Sequence, residues 1–164
     1  MEISESGMLF GDYRPEQLFR IENSDLHMHI KPNVKSVEFV LLRNEKNLLF
    51  VEAKSSSPKS ETDEGKYQEF LNEIMEKFVY SFNILCAWRL GRLEDTDEIG
   101  SDIKEVNFKD AKFVFILVIN GHKKEWLLPL QDELRGKMRY YRAIWNSQVV
   151  VMNEEIARER HLIR

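Results

Sequence analysis

Four short stretches of the chain are apolar at nearly every position, and each has the length of a β-strand. The segments 37–42 and 48–53 are separated by the polar segment 43–47, which has the length of a hairpin turn. The segments 113–119 and 148–152 are the other two. Strands that are apolar on both faces lie inside a sheet that is covered on each side. We therefore expect a central sheet in which the first two strands pair as a hairpin.

Helical periodicity fills the intervals between these strands. A long helix is predicted over 64–90, because apolar residues recur there at every third or fourth position. A second helix is predicted over 129–141, with Pro129 in its first turn, where proline is tolerated. The acid-rich segment 93–112 is predicted to be a loop. The apolar stripe of the long helix consists of Tyr67, Phe70, Leu71, Ile74, Met75, Phe78, Phe82, Leu85 and Trp88.

Two shorter helices are predicted from their N-terminal caps. Ser24 would cap a helix that reaches Ile30, and Asn153 would cap a last helix with acidic residues in its first turn. Helices and strands alternate after the hairpin, which is typical of a mixed sheet with helices on both faces. The expected fold class is therefore α/β, with a mixed central β-sheet flanked by helices on both faces, in one domain spanning residues 1–164.

Composition narrows the classes of protein to which the chain can belong. The chain has 164 residues, of which 43% are hydrophobic, and this fraction excludes a disordered protein. The formal net charge of -4 gives no overall attraction to nucleic acid, so any such binding needs a local basic patch. The single cysteine, Cys86, favours a reducing compartment. We find no secretory leader pattern and no apolar run long enough for a membrane span, so a cytoplasmic location without membrane association is expected.

Carboxylates interrupt the two hairpin strands. Glu38 lies at the start of the first strand, and Glu52-Ala53-Lys54 ends the second. Because side chains alternate along a strand, Glu52 and Lys54 point to the same face. An ionised acid in such a strand is costly unless it is paired or binds a metal ion. Two carboxylates and an ammonium group at one sheet edge can hold a divalent cation and activate a water molecule.

The acid-x-Lys tripeptide alone carries little information, because the chain contains four copies. They lie at 52–54, 64–66, 102–104 and 110–112. The copy at 52–54 is distinguished by its place: it ends an apolar strand whose hairpin partner carries another acid. Placement, and not the tripeptide itself, therefore selects this copy.

In this arrangement the chain resembles the PD-(D/E)xK nuclease superfamily, which has the restriction-endonuclease-like fold. The order of elements matches from about residue 22 to the end of the chain, and the motif itself covers Glu38, Glu52 and Lys54. The resemblance implies a metal-dependent nuclease that hydrolyses phosphodiester bonds of nucleic acid. DNA is the expected substrate, and Mg²⁺ or Mn²⁺ is the expected cofactor.

The resemblance also implies a role for each motif residue. Glu38 and Glu52 would be metal ligands, and the carbonyl group of Ala53 would be a third ligand. Lys54 would orient the attacking water or stabilise the charge that develops on the phosphate. Glu22 would be an accessory acid from the preceding element.

Three departures from the family pattern keep an inactive relative open, and an unrelated protein is a separate alternative. Glu38 stands where aspartate is usual, Val37 replaces a proline, and Gln68 is followed by Asn72 where an exonuclease branch has Gln-x-x-x-Tyr. The first alternative is a catalytically inactive module of the same fold that binds nucleic acid or a protein partner. The second is an unrelated α/β protein in which Glu52 and Lys54 form a structural ion pair.

A basic segment rich in tyrosine follows the third predicted strand. Basic side chains with aromatic neighbours suit phosphate contact and base stacking, although a solvated face of an ordinary helix has the same composition. Since the patch is small, we expect a homodimer or a protein partner to help it hold DNA. The candidate contact residues are Lys123, Lys124, Arg135, Lys137, Arg139 and Arg142.

Three histidines are candidates for other roles. His27 and His29 would share a face if their segment were extended, but no third zinc ligand is in register with them. His122 follows the third strand, where it would either occupy a surface turn or touch the substrate.

Overall fold

The computed structural model of the protein describes residues 1–30 and 32–164, which form a two-stranded sheet and a five-stranded sheet. The strands are β1 (Ile3–Glu5), β2 (Met8–Phe10), β3 (Leu18–Phe19), β4 (Phe39–Arg43), β5 (Asn47–Lys54), β6 (Lys112–Ile119) and β7 (Gln148–Asn153). The α-helices are α1 (Asp25–Ile30), α2 (Glu64–Arg89), α3 (Ser101–Glu105), α4 (Lys124–Lys137), α5 (Arg139–Trp145) and α6 (Glu154–Glu159).

The large sheet is mixed, as the sequence predicts. Its strand order is β3-β4-β5-β6-β7, with antiparallel pairing from β3 to β5 and parallel pairing from β5 to β7. Parallel neighbours need a crossover, and the two crossovers carry the helices α2 to α5. The prediction of a mixed α/β protein with a central sheet is therefore confirmed. The carboxyl ends of β5, β6 and β7 meet at one edge of the sheet.

Aromatic side chains fill the core on the face of the sheet that α2 covers. The ring of Phe82 on α2 lies 6.0 Å from that of Phe115 and 5.0 Å from that of Phe113, both on β6. It also lies 6.1 Å from the ring of Phe50 on β5 and 4.8 Å from the indole of Trp145. The stripe predicted for the long helix is thus the core-facing stripe of α2, and it fixes the position of this helix on the sheet.

The opposite face is covered by the β1–β2 hairpin and α6. Phe10 of the hairpin packs edge-on against Phe39 of β4, with 5.5 Å between ring centroids. Ala157 of α6 and Ile163 near the C-terminus belong to the same buried cluster. Both faces of β5 are therefore covered, and its residues from Leu48 to Ala53 are buried.

The predicted caps of α1 and α6 are confirmed. The hydroxyl of Ser24 accepts a hydrogen bond from the amide of His27 (3.1 Å), and the side chain of Asn153 accepts one from the amide of Ile156 (3.0 Å). Each cap satisfies an N–H group that the first turn leaves free. Among the described residues no helix combines the length and the apolar character needed to cross a membrane.

Several predicted boundaries are wrong. α4 begins at Lys124, so Pro129 lies inside the helix rather than in its first turn. Because Lys123 forms no side-chain cap, the sequence carries no capping residue that marks this start. The segment 93–112 contains the short helix α3, which is held by the buried Ile103. Glu38 lies one residue before β4 rather than within it.

Removal of the Phe82 ring tests the aromatic core. We expect Phe82→Ala to lower the free energy of unfolding by about 3–5 kcal/mol. The substitution removes the contacts of the Phe82 ring with rings from both β5 and β6 and leaves a cavity in their place. Urea denaturation measures the change. Asn83→Ala, at the exposed next position of the same helix, should change stability by less than about 0.5 kcal/mol. Equal effects of the two substitutions would contradict this account of the core.

Candidate active site between the hairpin and the long helix

A cluster of charged side chains lies between the carboxyl end of β5 and the helix α2. Glu52 is 0% exposed although it stands in an otherwise apolar strand. Its Oε1 atom accepts a hydrogen bond from Nζ of Lys77 on α2 at 2.8 Å, and Nζ of Lys54 lies 3.3 Å away. Burial raises the pKa of Glu52, and the two ammonium groups act against this effect. Two lysines therefore compensate one buried carboxylate.

Lys54 joins this cluster to a second acid. Its Nζ atom donates a hydrogen bond to Oε1 of Glu73 on α2 at 2.9 Å. Burial acts to lower the pKa of Lys54, but the bond to Glu73 and the charge of Glu52 outweigh it, so the pKa is raised. The bond to Lys54 lowers the pKa of Glu73. Lys54 is therefore a fixed cation between two carboxylates.

Glu38 lies beside this cluster in a different environment. Its amide donates to the carbonyl oxygen of Val51 at 3.1 Å, which holds it next to the end of β5. The side chain is 8% exposed. Burial raises the pKa of Glu38 to about 9, and the hydrogen bond that its protonated carboxyl group donates to Glu22 and the charge of Glu52 add to the rise. The structure thus brings the predicted accessory acid, Glu22, to Glu38.

Two carboxylate oxygens in this site have no hydrogen-bond partner. They are the buried Oε2 atoms of Glu38 and Glu52. An unsatisfied buried oxygen is costly, and native proteins rarely leave one without a ligand, a water molecule or a role. Mg²⁺ takes oxygen ligands, usually one or two carboxylates with several waters. The donor set of the two glutamates therefore fits a hard divalent cation.

The carbonyl group of Ala53 lies at the same end of β5 and already has one partner. The hydroxyl of Ser6, in the β1–β2 turn, donates to it at 3.1 Å, and the side-chain amide of Asn120 donates to the Ser6 carbonyl at 3.1 Å. A carbonyl oxygen has two lone pairs, so one remains. Within residues 1–30 and 32–164, no group of three or more His, Cys, Asp or Glu side chains is arranged to hold a metal ion. A cation here would thus depend on two carboxylates, a carbonyl oxygen and water.

Sequence reasoning missed Lys77 and Glu73, which α2 contributes to the site. They are four residues apart and therefore lie on one face of the helix. Lys77 also lies three residues after Ile74 and directly before Phe78, so it borders the apolar stripe. A lysine at the border of a core-facing stripe is a signal that could have indicated a buried acidic partner, and Glu52 is the acid of the predicted strands that fits. Lys77 is 12% exposed at its side chain.

The six basic candidates for nucleic-acid contact do not form one patch. Lys123 and Lys124 lie at the start of α4, whereas the other four lie near or beyond its end, about 20 Å along the helix axis. Arg135 donates through Nε to the carbonyl of Val149 at 3.0 Å, so it ties α4 to β7. Arg139 and Arg142 lie on α5 beside Tyr140, which is 65% exposed.

The histidines also differ in their surroundings. His27 is buried in α1, and its ring nitrogens lie 3.2 and 2.7 Å from the carbonyl oxygens of Glu22 and Val34. Since the segment is helical, His29 does not face His27, and the zinc arrangement that needs an extended segment is absent from these residues. His122 is 8% exposed, so it does not occupy a surface turn.

No protein-family model, no curated protein and no solved structure matches the chain significantly. The protein is thus a mixed α/β protein with a five-stranded sheet and a charged cluster at the end of its central strand.

The raised pKa of Glu38 predicts a pH-dependent stability in metal-free buffer. The folded protein keeps this proton up to about pH 9, whereas the unfolded chain releases it near 4.5. The folded state therefore binds more protons between these values, and this contribution to stability falls as the pH rises, by up to about 1.4 kcal/mol per pH unit. Glu38→Gln should remove this part of the slope when urea unfolding is measured from pH 5 to 9 with EDTA. Identical slopes for the two proteins would contradict the assignment.

The pair of Glu52 and Lys77 predicts a coupled effect on stability. Lys77→Met removes the closer of the two ammonium groups and should lower the free energy of unfolding by about 1–3 kcal/mol. Glu52→Gln combined with Lys77→Met should recover part of this loss, because the uncompensated charge is then absent. Thermal or urea unfolding measures both. Lys109→Met, at an exposed loop position, is the control, and additive effects of the two site substitutions would contradict the pairing.

Proposed function

We propose that the protein is a metal-dependent nuclease that hydrolyses phosphodiester bonds, with DNA as its substrate and a fold of the restriction-endonuclease type. The observation that carries the proposal is the pair of orphaned buried oxygens on Glu38 and Glu52, beside a fixed lysine. The strand order agrees with the proposed fold, since an antiparallel hairpin is followed by a helix and a parallel strand.

In this proposal some residues of the chain bind the metal ion, and others stabilise the charge that develops on the phosphate. Glu38, Glu52 and the Ala53 carbonyl would hold Mg²⁺ or Mn²⁺. The ion would supply Lewis-acid chemistry, which lowers the pKa of a bound water and neutralises phosphate charge. Glu73 orients the ammonium group of Lys54. Lys54 would then place a positive charge where the phosphate gains negative charge in the transition state.

Lys77 has a separate place in this scheme. It remains on Oε1 of Glu52 and leaves Oε2 without a partner in the protein. It therefore fixes the orientation of the carboxylate that would bind the cation. The exposed Arg139, Tyr140 and Arg142 on α5 would contact the nucleic acid away from the reacting phosphate.

The same contacts favour a second candidate function, a noncatalytic module that binds nucleic acid or a protein partner. In this alternative Lys54 serves the ion pair with Glu73, and Lys77 neutralises Glu52, so the cluster only stabilises the fold. Binding of DNA in EDTA without cleavage under any metal condition would be its expected behaviour.

A cleavage assay separates the two functions. Linear, circular and single-stranded DNA and RNA are incubated with Mg²⁺, with Mn²⁺ or with EDTA. We expect metal-dependent cleavage of DNA, and we expect Glu52→Gln and Lys54→Ala each to reduce its rate about 100-fold or more.

The matched control is Lys46→Ala, in the exposed turn of the same hairpin. This variant should cleave DNA at the same rate as the unsubstituted protein. Cleavage that survives EDTA, or that is equal in Glu52→Gln and Lys46→Ala, would overturn the proposal. So would the absence of cleavage of every substrate by a folded protein.

A further inference from the structure

A second polar site lies at the same edge of the sheet, beyond the ends of β5 and β6. It is a cavity of about 100 Å³ between the loop that follows Lys54 and the first turns of α4. Ser57, Lys59 and Ser60 line it from the loop, and His122 and Trp126 line it from the other side. None of these residues belongs to the carboxylate cluster.

His122 is the buried polar group of this cavity. Its Nε2 atom is buried and has no hydrogen-bond partner, while its Nδ1 atom lies 3.4 Å from the hydroxyl of Ser57. Burial lowers the pKa of His122, an effect that the nearby backbone of Trp126 partly offsets, and so favours the neutral imidazole. When the Ser57 hydroxyl donates to Nδ1, the ring proton lies on Nε2, which is then a buried donor without an acceptor.

Two ammonium groups flank the indole that closes the cavity. Nζ of Lys59 lies 4.0 Å and Nζ of Lys123 lies 4.8 Å from the centre of the Trp126 ring. Both lysines are exposed, and neither forms an ion pair within 4.0 Å in the described part of the chain. Positive charge is thus concentrated at the mouth of the cavity in a chain whose overall charge is negative.

The start of α4 contributes further donors. Lys123, at the N-cap position of this fourteen-residue helix, forms no side-chain cap. The amide of Trp126 donates to the Lys123 carbonyl oxygen at 3.0 Å, and the amides of Lys124 and Glu125 have no capping acceptor in the described part of the chain. Free N–H groups and the helix dipole favour an anion at such an end. The cavity offers further hydrogen-bond donors to an anion: the two lysines, the serine hydroxyls and the unpartnered Nε2 atom of His122. The rim acid Glu61 is the one opposing charge among the lining residues.

We propose that this cavity binds a phosphate group of a nucleic-acid strand. Lys59 and Lys123 would neutralise the phosphate, and His122 and Ser60 would donate hydrogen bonds to its oxygens. The identity of the anion as part of a nucleic acid rests on the proposed nuclease function, whereas the phosphate chemistry rests on the cavity itself.

The position of the cavity suits a strand that also reaches the carboxylates. The amide of Asn120 bonds the carbonyl of Lys54 at 2.9 Å, and His122 follows two residues later. Tyr67 of α2 lines the cavity, and Glu73 of the same helix belongs to the carboxylate site, about 9 Å further along the axis. One strand could therefore place one phosphate in the cavity and another at Lys54.

Phosphate binding is tested in EDTA, without any metal or cleavage. Inorganic phosphate is titrated and followed by NMR of the backbone amides, with shifts expected at residues 57–60 and 122–126. Single-stranded oligodeoxynucleotides with a terminal phosphate or with hydroxyl ends are titrated in parallel. Tighter binding of the phosphorylated oligonucleotide would place a terminal phosphate in the cavity, and equal binding would place a backbone phosphate there.

The substitutions remove charge at exposed positions, so the protein should remain folded. Lys59→Gln combined with Lys123→Gln should weaken phosphate binding about tenfold or more, and Glu61→Gln should strengthen it. Lys46→Gln combined with Lys109→Gln removes the same charge elsewhere and should leave phosphate binding unchanged.

Equal weakening by the two double variants, or shifts that do not map to the cavity, would overturn the inference. No binding of phosphate at millimolar concentration would do the same, even if metal-dependent cleavage is found. Phosphate binding at the cavity without cleavage would overturn only the proposed nuclease function.

Discussion

The compensation of one buried carboxylate governs much of this structure. Glu52 stands in the central strand of the sheet, with apolar cores on both faces, and is 0% exposed. An uncompensated charge in such a place would cost several kcal/mol. Lys54 and Lys77 approach the same oxygen, and Glu73 holds Lys54. These contacts form only when α2 lies at one particular position along β5. The aromatic core between the helix and the sheet fixes that position.

The two carboxylates of the hairpin are unequal because their neighbours differ. Glu52 has two ammonium groups beside it, whereas Glu38 has the carboxyl group of Glu22. In the absence of a cation, Glu38 therefore favours its protonated form and Glu52 is ion-paired. Each still has one oxygen without a partner. A divalent cation would satisfy both oxygens and would oppose the effect of burial on the pKa of Glu38, and this links the electrostatics of the fold to the proposed chemistry.

Most of the polar features lie at the edge of the sheet where the carboxyl ends of β5, β6 and β7 meet. The β1–β2 turn reaches the Ala53 carbonyl through Ser6, and Asn120 ties the same turn to the end of β6. The carboxylate cluster lies at the end of β5, and the cavity at His122 lies beyond the ends of β5 and β6. Parallel strands end together, so their following loops and helix starts meet at one place, which is where α/β proteins generally form binding sites. The basic residues at the far end of α4 and on α5 lie outside it.

The apolar pattern determined the strands β4 to β7 and the long helix, because burial on a sheet or helix face imposes a pattern that a single sequence displays. The capping residues Ser24 and Asn153 determined the two short helices α1 and α6. Placement at the end of an apolar strand, with Glu38 on the partner strand of the hairpin, also selected Glu52 and Lys54 among four similar tripeptides. The start of α4 and the helix α3 escaped prediction, because neither has a cap or a long apolar repeat. Only the tertiary structure decided which side chains compensate Glu52, brought Glu22 to Glu38, and placed His122 in a cavity. Those contacts join residues that are distant along the chain, and their geometry depends on how α2 and α4 pack on the sheet.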